Sequence, residues 1–467
     1  MTRTASSGIE ALRSAMTGAV LLPDEGGYDE ARAVWNGDID RRPAVITQCR
    51  TQDDVVAALE YAQREGLEIA VRGGGHAFSG SSVCDGGLMI DLSRLNQVTV
   101  DPEARRARVG GGALLRDLDG ATQEHGLAVP AGIVSHTGVG GLTLGGGMGL
   151  LTRMHGLSID NLESVQVVTA DGSILRAAED ENADLFWAVR GGGGNFGVVT
   201  EFEFRLHRVG PIVNYGIAFW GQEQGSEMLR AARDVIPALP REVNVVIACL
   251  NAPPAPFVPA EHHFKLGYAL VMVGFGSPEQ HAEAMARIRG LVPPLFEFAT
   301  PMPYAAVQQL LDEPNAWGAY HYEKGTYLEA LTDAAIDVIT DQVPRKTSPM
   351  SATMFYHLDQ GYLEAPDDAT AFSGQRGERY AMFVIATTPV LEALEPERAW
   401  ARSFWDAMQP HAISIGSYVN GMAEPEEARI RASYGDKYDR LVELKRKYDP
   451  DNVFHRNQNI NPAAAGS

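Results

Sequence analysis

Apolar and polar positions alternate most cleanly over Val198–Leu206. Val198, Thr200, Phe202, Phe204 and Leu206 fall on one face and Glu201, Glu203 and Arg205 on the other. A period of two predicts a strand with one buried face. Shorter apolar runs at Pro43–Thr47, Leu67–Val71 and Leu88–Asp91 predict further strands. Gln97–Val100 with Arg106–Val109, and Val165–Thr169 with Ile174–Arg176, flank turn residues as hairpins do. Between the first two strands the period becomes helical. Thr51 stands as N-cap with Asp54 at N3, Val55, Leu59 and Ala62 share a face, and Gly66 is placed to end the helix. The same pattern predicts helices at Ile9–Met16, Leu114–Glu124 and Asp184–Val189.

Glycine breaks this pattern in three places. The strand Leu67–Val71 runs into Arg72-Gly73-Gly74-Gly75-His76-Ala77-Phe78-Ser79-Gly80. Successive glycines can take positive φ, bring the backbone close to a ligand and turn N–H groups into an anion-binding concavity. Arg72 and Ser79 are expected as donors at its rim, with His76 projecting a lone imidazole. A second cluster, within Val129–Gly149, has glycine at six of the ten positions from Gly140 to Gly149. Leu142, Leu144 and Met148 punctuate it, which predicts a packed loop against a large flat or phosphorylated ligand, since a solvated linker would carry polar residues. Gly191–Gly194 is the third cluster. The G-x-G-x-x-G fingerprint does not account for these loops, because the stretch after Gly149 is too short for the helix that should receive a pyrophosphate.

Glycine thins after about residue 208. From 210 to 415 apolar runs such as Val213–Trp220, Leu266–Val273 and Tyr380–Ala386 alternate with helical stretches, one opening at Ser277-Pro278-Glu279-Gln280. The expected architecture there is an antiparallel sheet backed by helices, α+β in class. The tail has a Leu- and Lys-rich helix within Ala432–Tyr448, then an amide-rich turn carrying Asn457, Gln458 and Asn459, fit to bond a heteroaromatic ring or cap the helix.

Composition narrows the function. At 467 residues the chain exceeds one hydrophobic core. A formal net charge of −21 argues against nucleic acid as partner. The three cysteines, Cys49, Cys84 and Cys249, lack metal-ligand spacing and imply no disulfide framework. Without a signal-like start or an 18-residue apolar run, a cytoplasmic protein with no membrane partner is expected.

RGGGHAFSG, PAGIVSHTGVGGLTLGGGMGLL, GLSIDN, LFWAVRGGGGNFGVVTEFEF and YDPDNVFHRNQNINP, in that order, resemble the berberine bridge enzyme-like flavoproteins, and most of all their 6-hydroxynicotine oxidase-like bacterial branch. The resemblance implies an α+β protein: a two-part FAD-binding domain of the vanillyl-alcohol oxidase type, residues 1–208 and 416–467, around a substrate domain at 209–415. It implies an FAD-dependent oxidase. Hydride would leave a C–O, C–N or C–C centre of a small or medium-sized metabolite for flavin N5, and O2 would accept the electrons. A flavin-dependent oxygenase or oxidative cyclase working on a natural-product intermediate is the alternative. The partner expected is a small molecule, with the protein a monomer or homodimer.

Residue by residue, the resemblance assigns His76 as the covalent attachment of FAD. Val134 stands where many members have a second attaching cysteine, so a single link is expected. Thr137 stands at a position tied to oxygen access. Arg72, Gly73, Gly74, Gly75, Ser79 and Gly80 of the first loop are expected to hold the cofactor. So are Gly132, Gly140, Gly141, Gly145 and Gly146 of the second, with Asn161, Val198, Asn457 and Asn459. Gly416-Ser417-Tyr418-Val419-Asn420 matches the family's G-x-Y-x-N, which places Tyr418 and Asn420 at the flavin as catalytic residues. His357 is a further catalytic candidate. The plant members' P-F-P-H-R segment, with a glutamate before it, is replaced here by Ala371–Arg376.

Overall fold

The computed structural model describes residues 3–464. Thr51 caps the helix Gln52–Glu65 as its sequence predicts: its hydroxyl accepts the Asp54 N–H and the Asp54 carboxylate accepts the Thr51 N–H. Aspartate serves at N3 because it also gathers the N–H groups of Thr17, Gly18 and Arg50. Gly66 ends the helix at φ 65°, a left-handed turn that suits glycine. Around this helix a four-stranded sheet runs in the order Ala19–Leu21, Val45–Gln48, Leu88–Asp91, Ile69–Arg72, parallel except for the first pair. Beside it five antiparallel strands run Val98–Asp101, Arg106–Gly110, Val198–Arg205, Leu162–Val168, Ile174–Ala178.

The third large sheet draws all its strands from 212–388. Its seven antiparallel strands run Phe296–Pro303, Ile212–Gly221, Leu266–Gly274, Val243–Asn251, Ala352–Leu358, Arg379–Thr388, Tyr320–Leu328. One face, with Trp220, Ile247, Leu270 and Met382, packs on the helices Gly225–Val235, Pro278–Leu291, Asp333–Gln342 and Leu394–Met408. The other, with Tyr215, Ile217, Tyr356 and Phe383, packs toward the glycine-rich half, meeting Met148, Leu150 and Tyr418. The chain then returns to the first half. Lys445 is fully buried there, paired with Asp449 at 2.7 Å and donating to the carbonyls of Asn195 and Phe454.

One element differs from its sequence reading. Val139–Leu144, expected as loop, is a short helix. Its glycines allow an approach that outweighs their poor helix propensity: a Cβ on Gly140 would sit 2.9 Å from the Gly111 carbonyl oxygen.

Candidate active site

A cavity of about 1380 Å³ lies between the glycine-rich half and the inner face of the seven-stranded sheet. The first loop contributes Gly73, Gly74, Gly75, His76 and Ser79 to its wall, and the second Gly132, Val134, Thr137, Gly140 and Gly141. Gly193 and Gly194 come from the third cluster, Val198 from the start of the strand Val198–Arg205, Tyr418 and Asn420 from the G-x-Y-x-N turn, and Asn457 and Gln458 from the tail. The first two loops interlock backbone to backbone. A Cβ on Gly74 would sit 2.3 Å from the Gly138 nitrogen, and one on Gly138 2.3 Å from that of Gly74. No other residue fits there.

His76 is held from three sides. Its Nε2 lies 2.7 Å from Nδ1 of His136. Its ring stacks on Trp35 at 4.5 Å, and Trp35 stacks in turn on His321 at 3.8 Å. Trp317 meets its edge. Burial, reinforced by His136 and then His321, holds the His76 imidazole well below the usual histidine range, so the ring is neutral. Among the described residues Nδ1 has no hydrogen-bond partner.

Tyr418 projects its phenol into the same cavity. Its oxygen accepts the Gly147 N–H and the Asn420 amide, each at 2.9 Å, and Asn420 is itself anchored on the Leu142 carbonyl. Burial pushes the phenol up to about 12 and outweighs these donors, so it is neutral near pH 7.

Several residues expected here lie elsewhere. His357 faces the helix-packed side of its strand, between Asp359 and Glu378, whereas its neighbour Tyr356 lines the cavity. The alternation of the strand separates them. Asn161 bonds His155 and Leu157 carbonyls and the His207 ring, bracing a turn. Arg72 is no rim donor: it binds the Ala31 carbonyl and lies 3.7 Å from buried Asp91. Gly80 packs on Ile39, Gly145 on Asn420 and Gly146 on Phe372, each behind the wall. Asn459 is likewise not a wall residue. The tail amides do not cap the helix Tyr438–Tyr448, whose last residue is followed by Asp449.

Three residues of the site escape a reading of the sequence: Trp35, His136 and Glu323. Glu323, on the strand Tyr320–Leu328, lines the cavity at 6% exposure. Among the described residues its carboxyl has neither a hydrogen bond nor an ion pair, and burial pushes it up to about 8.

The wall fits a phosphorylated, heteroaromatic cofactor. A Cβ on Gly141 or Gly194 would meet nothing within 4 Å, so their backbone faces open room. Asn457 Oδ1 is a buried acceptor with no donor among the described residues. FAD brings phosphates for the glycine loops and a ring N–H for such an acceptor. The three cysteines are buried away from this wall.

Residues 43–178 match the family model of an FAD binding domain, and residues 417–461 match the model described as berberine and berberine like. An FAD-linked oxidoreductase of Dictyostelium discoideum is 30% identical over 431 residues, covering 92% of this chain and 91% of that one. The crystal structure of 6-hydroxy-D-nicotine oxidase from Arthrobacter nicotinovorans superposes with a TM-score of 0.85 at 27% identity, covering 96% of this chain and 98% of the other. The glucooligosaccharide oxidase of Acremonium strictum, described with a 6-S-cysteinyl, 8α-N1-histidyl FAD, shares the fold with a TM-score of 0.84 at 24% identity, covering 98% and 100%. With the fold and the cofactor wall in agreement with these likenesses, the chain belongs to the berberine bridge enzyme-like family of FAD-dependent oxidoreductases.

Proposed function

We propose that this enzyme is an oxidase that carries FAD on His76 through a single bond, takes a hydride from a C–O, C–N or C–C centre of a small or medium-sized metabolite, and passes the electrons to O2. The observation that carries this reading is the state of His76. A neutral imidazole with Nε2 tied to His136 leaves Nδ1 as a nucleophile at the cavity wall. Val134 and the absence of any cysteine from that wall support one link and not two.

When bound, FAD supplies the hydride acceptor. The chain supplies everything else. The loops at 73–79 and 132–141, with Asn457, hold the cofactor. The aromatic inner face of the sheet excludes water and orients the substrate. Tyr418, fixed by Gly147 and Asn420, offers its hydroxyl to the reacting group as a neutral phenol. Thr137, small and on the wall, leaves room for oxygen. In this reading residues 1–208 and 416–467 form the FAD half, and 209–415 the substrate half.

The test is acid denaturation of the purified protein beside His76→Ala, followed by absorbance and intact mass. The wild type is expected to keep one FAD on the polypeptide and the variant to release it. Flavin released from both would overturn the covalent assignment.

A further inference from the structure

The cavity wall includes three charged side chains: Glu313, Glu323 and Arg456. Glu313 is exposed. Arg456 is committed to Glu68 at 3.0 Å and to the Val83 carbonyl, at the cofactor end. Glu323 alone is buried and unanswered. A carboxyl taken out of water without a partner is costly, and the cost is removed when a bound group answers it.

Its surroundings say what that group is. Glu323 Oε1 and the Phe383 ring both pack on Gly421, where an added Cβ would lie 2.6 Å from the oxygen and 2.9 Å from the ring. Phe383 sits edge-to-face with Tyr356 at 5.9 Å and with Tyr418 at 6.2 Å. A carboxylate within a frame of aromatic rings attracts a cation by charge and by ring quadrupole together. An anionic substrate would meet only repulsion. The rest of the substrate face is mainly apolar, with Ile217, Val271, Phe298 and Met354 on it.

We propose that Glu323 is the ammonium-binding and proton-accepting group of the substrate site, and that the substrate is an apolar amine carried in as its cation. For the hydride acceptor this rests on the oxidase reading above; for binding it does not. The reaction balances as follows. An ammonium R₂CH–NH₃⁺ gives one N–H proton to the Glu323 carboxylate. The freed electron pair forms the C=N bond as the Cα hydride leaves for the oxidised cofactor. The product is the iminium R₂C=NH₂⁺, and O2 takes the two electrons from the cofactor. Two phenols face Glu323 from neighbouring segments, those of Tyr356 and Tyr418. Burial holds both far above neutrality, so they stay uncharged while Glu323 titrates. Lys324 lies on the opposite face, paired with Glu424 at 3.0 Å.

The experiment is calorimetric titration of the holoenzyme with 4-phenylbutylamine and with 4-phenylbutan-1-ol, matched in shape and different in charge. At pH 9 Glu323 is ionised and an alkylammonium, with a pKa of about 10.4, is still protonated. The amine is expected to bind at least about tenfold tighter than the alcohol at pH 9, a factor equal to about 1.4 kcal/mol, with the preference shrinking at pH 6. Glu323→Gln should abolish the preference and leave alcohol affinity within about twofold. Glu323→Asp, which keeps the charge, should retain part of it, and thermal midpoints of both variants report folding. Equal affinities in the wild type, no binding of either probe up to its solubility, or a preference that survives in Glu323→Gln would each overturn the proposal. Flavin content, read by absorbance after acid denaturation of the same samples, reports the oxidase reading separately. Flavin-free protein that still prefers the amine would sink that reading and leave this one standing.

Discussion

Among the described residues of 209–415 two glutamates are buried, and they are buried in opposite ways. Glu397, with no exposed surface, accepts the N–H and hydroxyl of Thr347, the N–H of Ser348 and the hydroxyl of Ser351. It ties the segment after the helix Asp333–Gln342 to the helix Leu394–Met408. Glu323 is almost as deeply buried and accepts no hydrogen bond among the described residues. The same side chain is a structural clamp where its donors are built in, and a waiting site where they are missing. The second state persists because burial lets the carboxyl keep its proton near neutral pH, which spares the fold a buried charge.

The largest effect should come from removing the clamp. Glu397→Ala takes the carboxylate acceptor away from the buried Ser348 N–H and Ser351 hydroxyl and frees the exposed Thr347 from its tether. It is expected to cost about 4 kcal/mol, read as a fall in the denaturant midpoint at unchanged slope.

Glu323→Gln should do the reverse, and only at high pH. The folded pKa of Glu323 lies above its ordinary value of 4.5, at about 8, so the folded state keeps a proton that the unfolded chain has released. Its contribution to stability is full below pH 4.5 and is lost as pH rises to about 8. At pH 9 the variant should therefore be more stable than the wild type by more than about 1.4 kcal/mol, the equivalent of one pKa unit, whereas near pH 4 the two should coincide. A constant difference across this range would break the contrast between the two glutamates.

The smallest effect concerns a titratable pair outside the cavity. His155 and His207 stack at 3.8 Å, and burial pushes them down to about 4 and about 3. Here the folded pKa lies below the unfolded one, so stability is lost as pH falls from about 6.5 toward 4. His207→Gln should flatten that acid limb by about 1 kcal/mol at pH 5, a figure discounted for the pair's partial exposure, in urea titrations at pH 5 and pH 7.

The parts of this molecule that were legible in its sequence are those where local chemistry decides. The Thr51 cap, the alternating strand ending at Arg205 and the Ser277 capping box all follow from residues within a few positions of one another. Tyr418 and Asn420 were found through their motif. Glu323 was not, because Glu323-Lys324 on a strand of mixed polarity looks like a solvent-facing charge pair. Only the sheet order shows that one side chain points into the cavity while the other reaches Glu424. His357 failed for the complementary reason. A histidine on a buried strand reads as catalytic until its neighbours decide which face is the inner one. Trp35 lay in a stretch without periodicity, and nothing local connects it to His76, 41 residues on.

The stretch around Trp35 also bears on how such enzymes can be re-engineered. Trp35 donates to the Asn315 carbonyl through its indole and takes the Gly318 N–H on its own carbonyl, Gly37 binds the Ala319 carbonyl, and Asn36 bonds both backbone groups of His321. The two halves are therefore stitched together beside His76 by the first forty residues and the approach to the strand Tyr320–Leu328. A chimera that takes residues 209–415 from another member of the family inherits a foreign version of that seam. Recombination junctions chosen only at the chain crossings near 208 and 416 would cut it. Junctions that transfer Trp35–Gly37 together with the donor's counterpart of residues 209–415 would keep it whole.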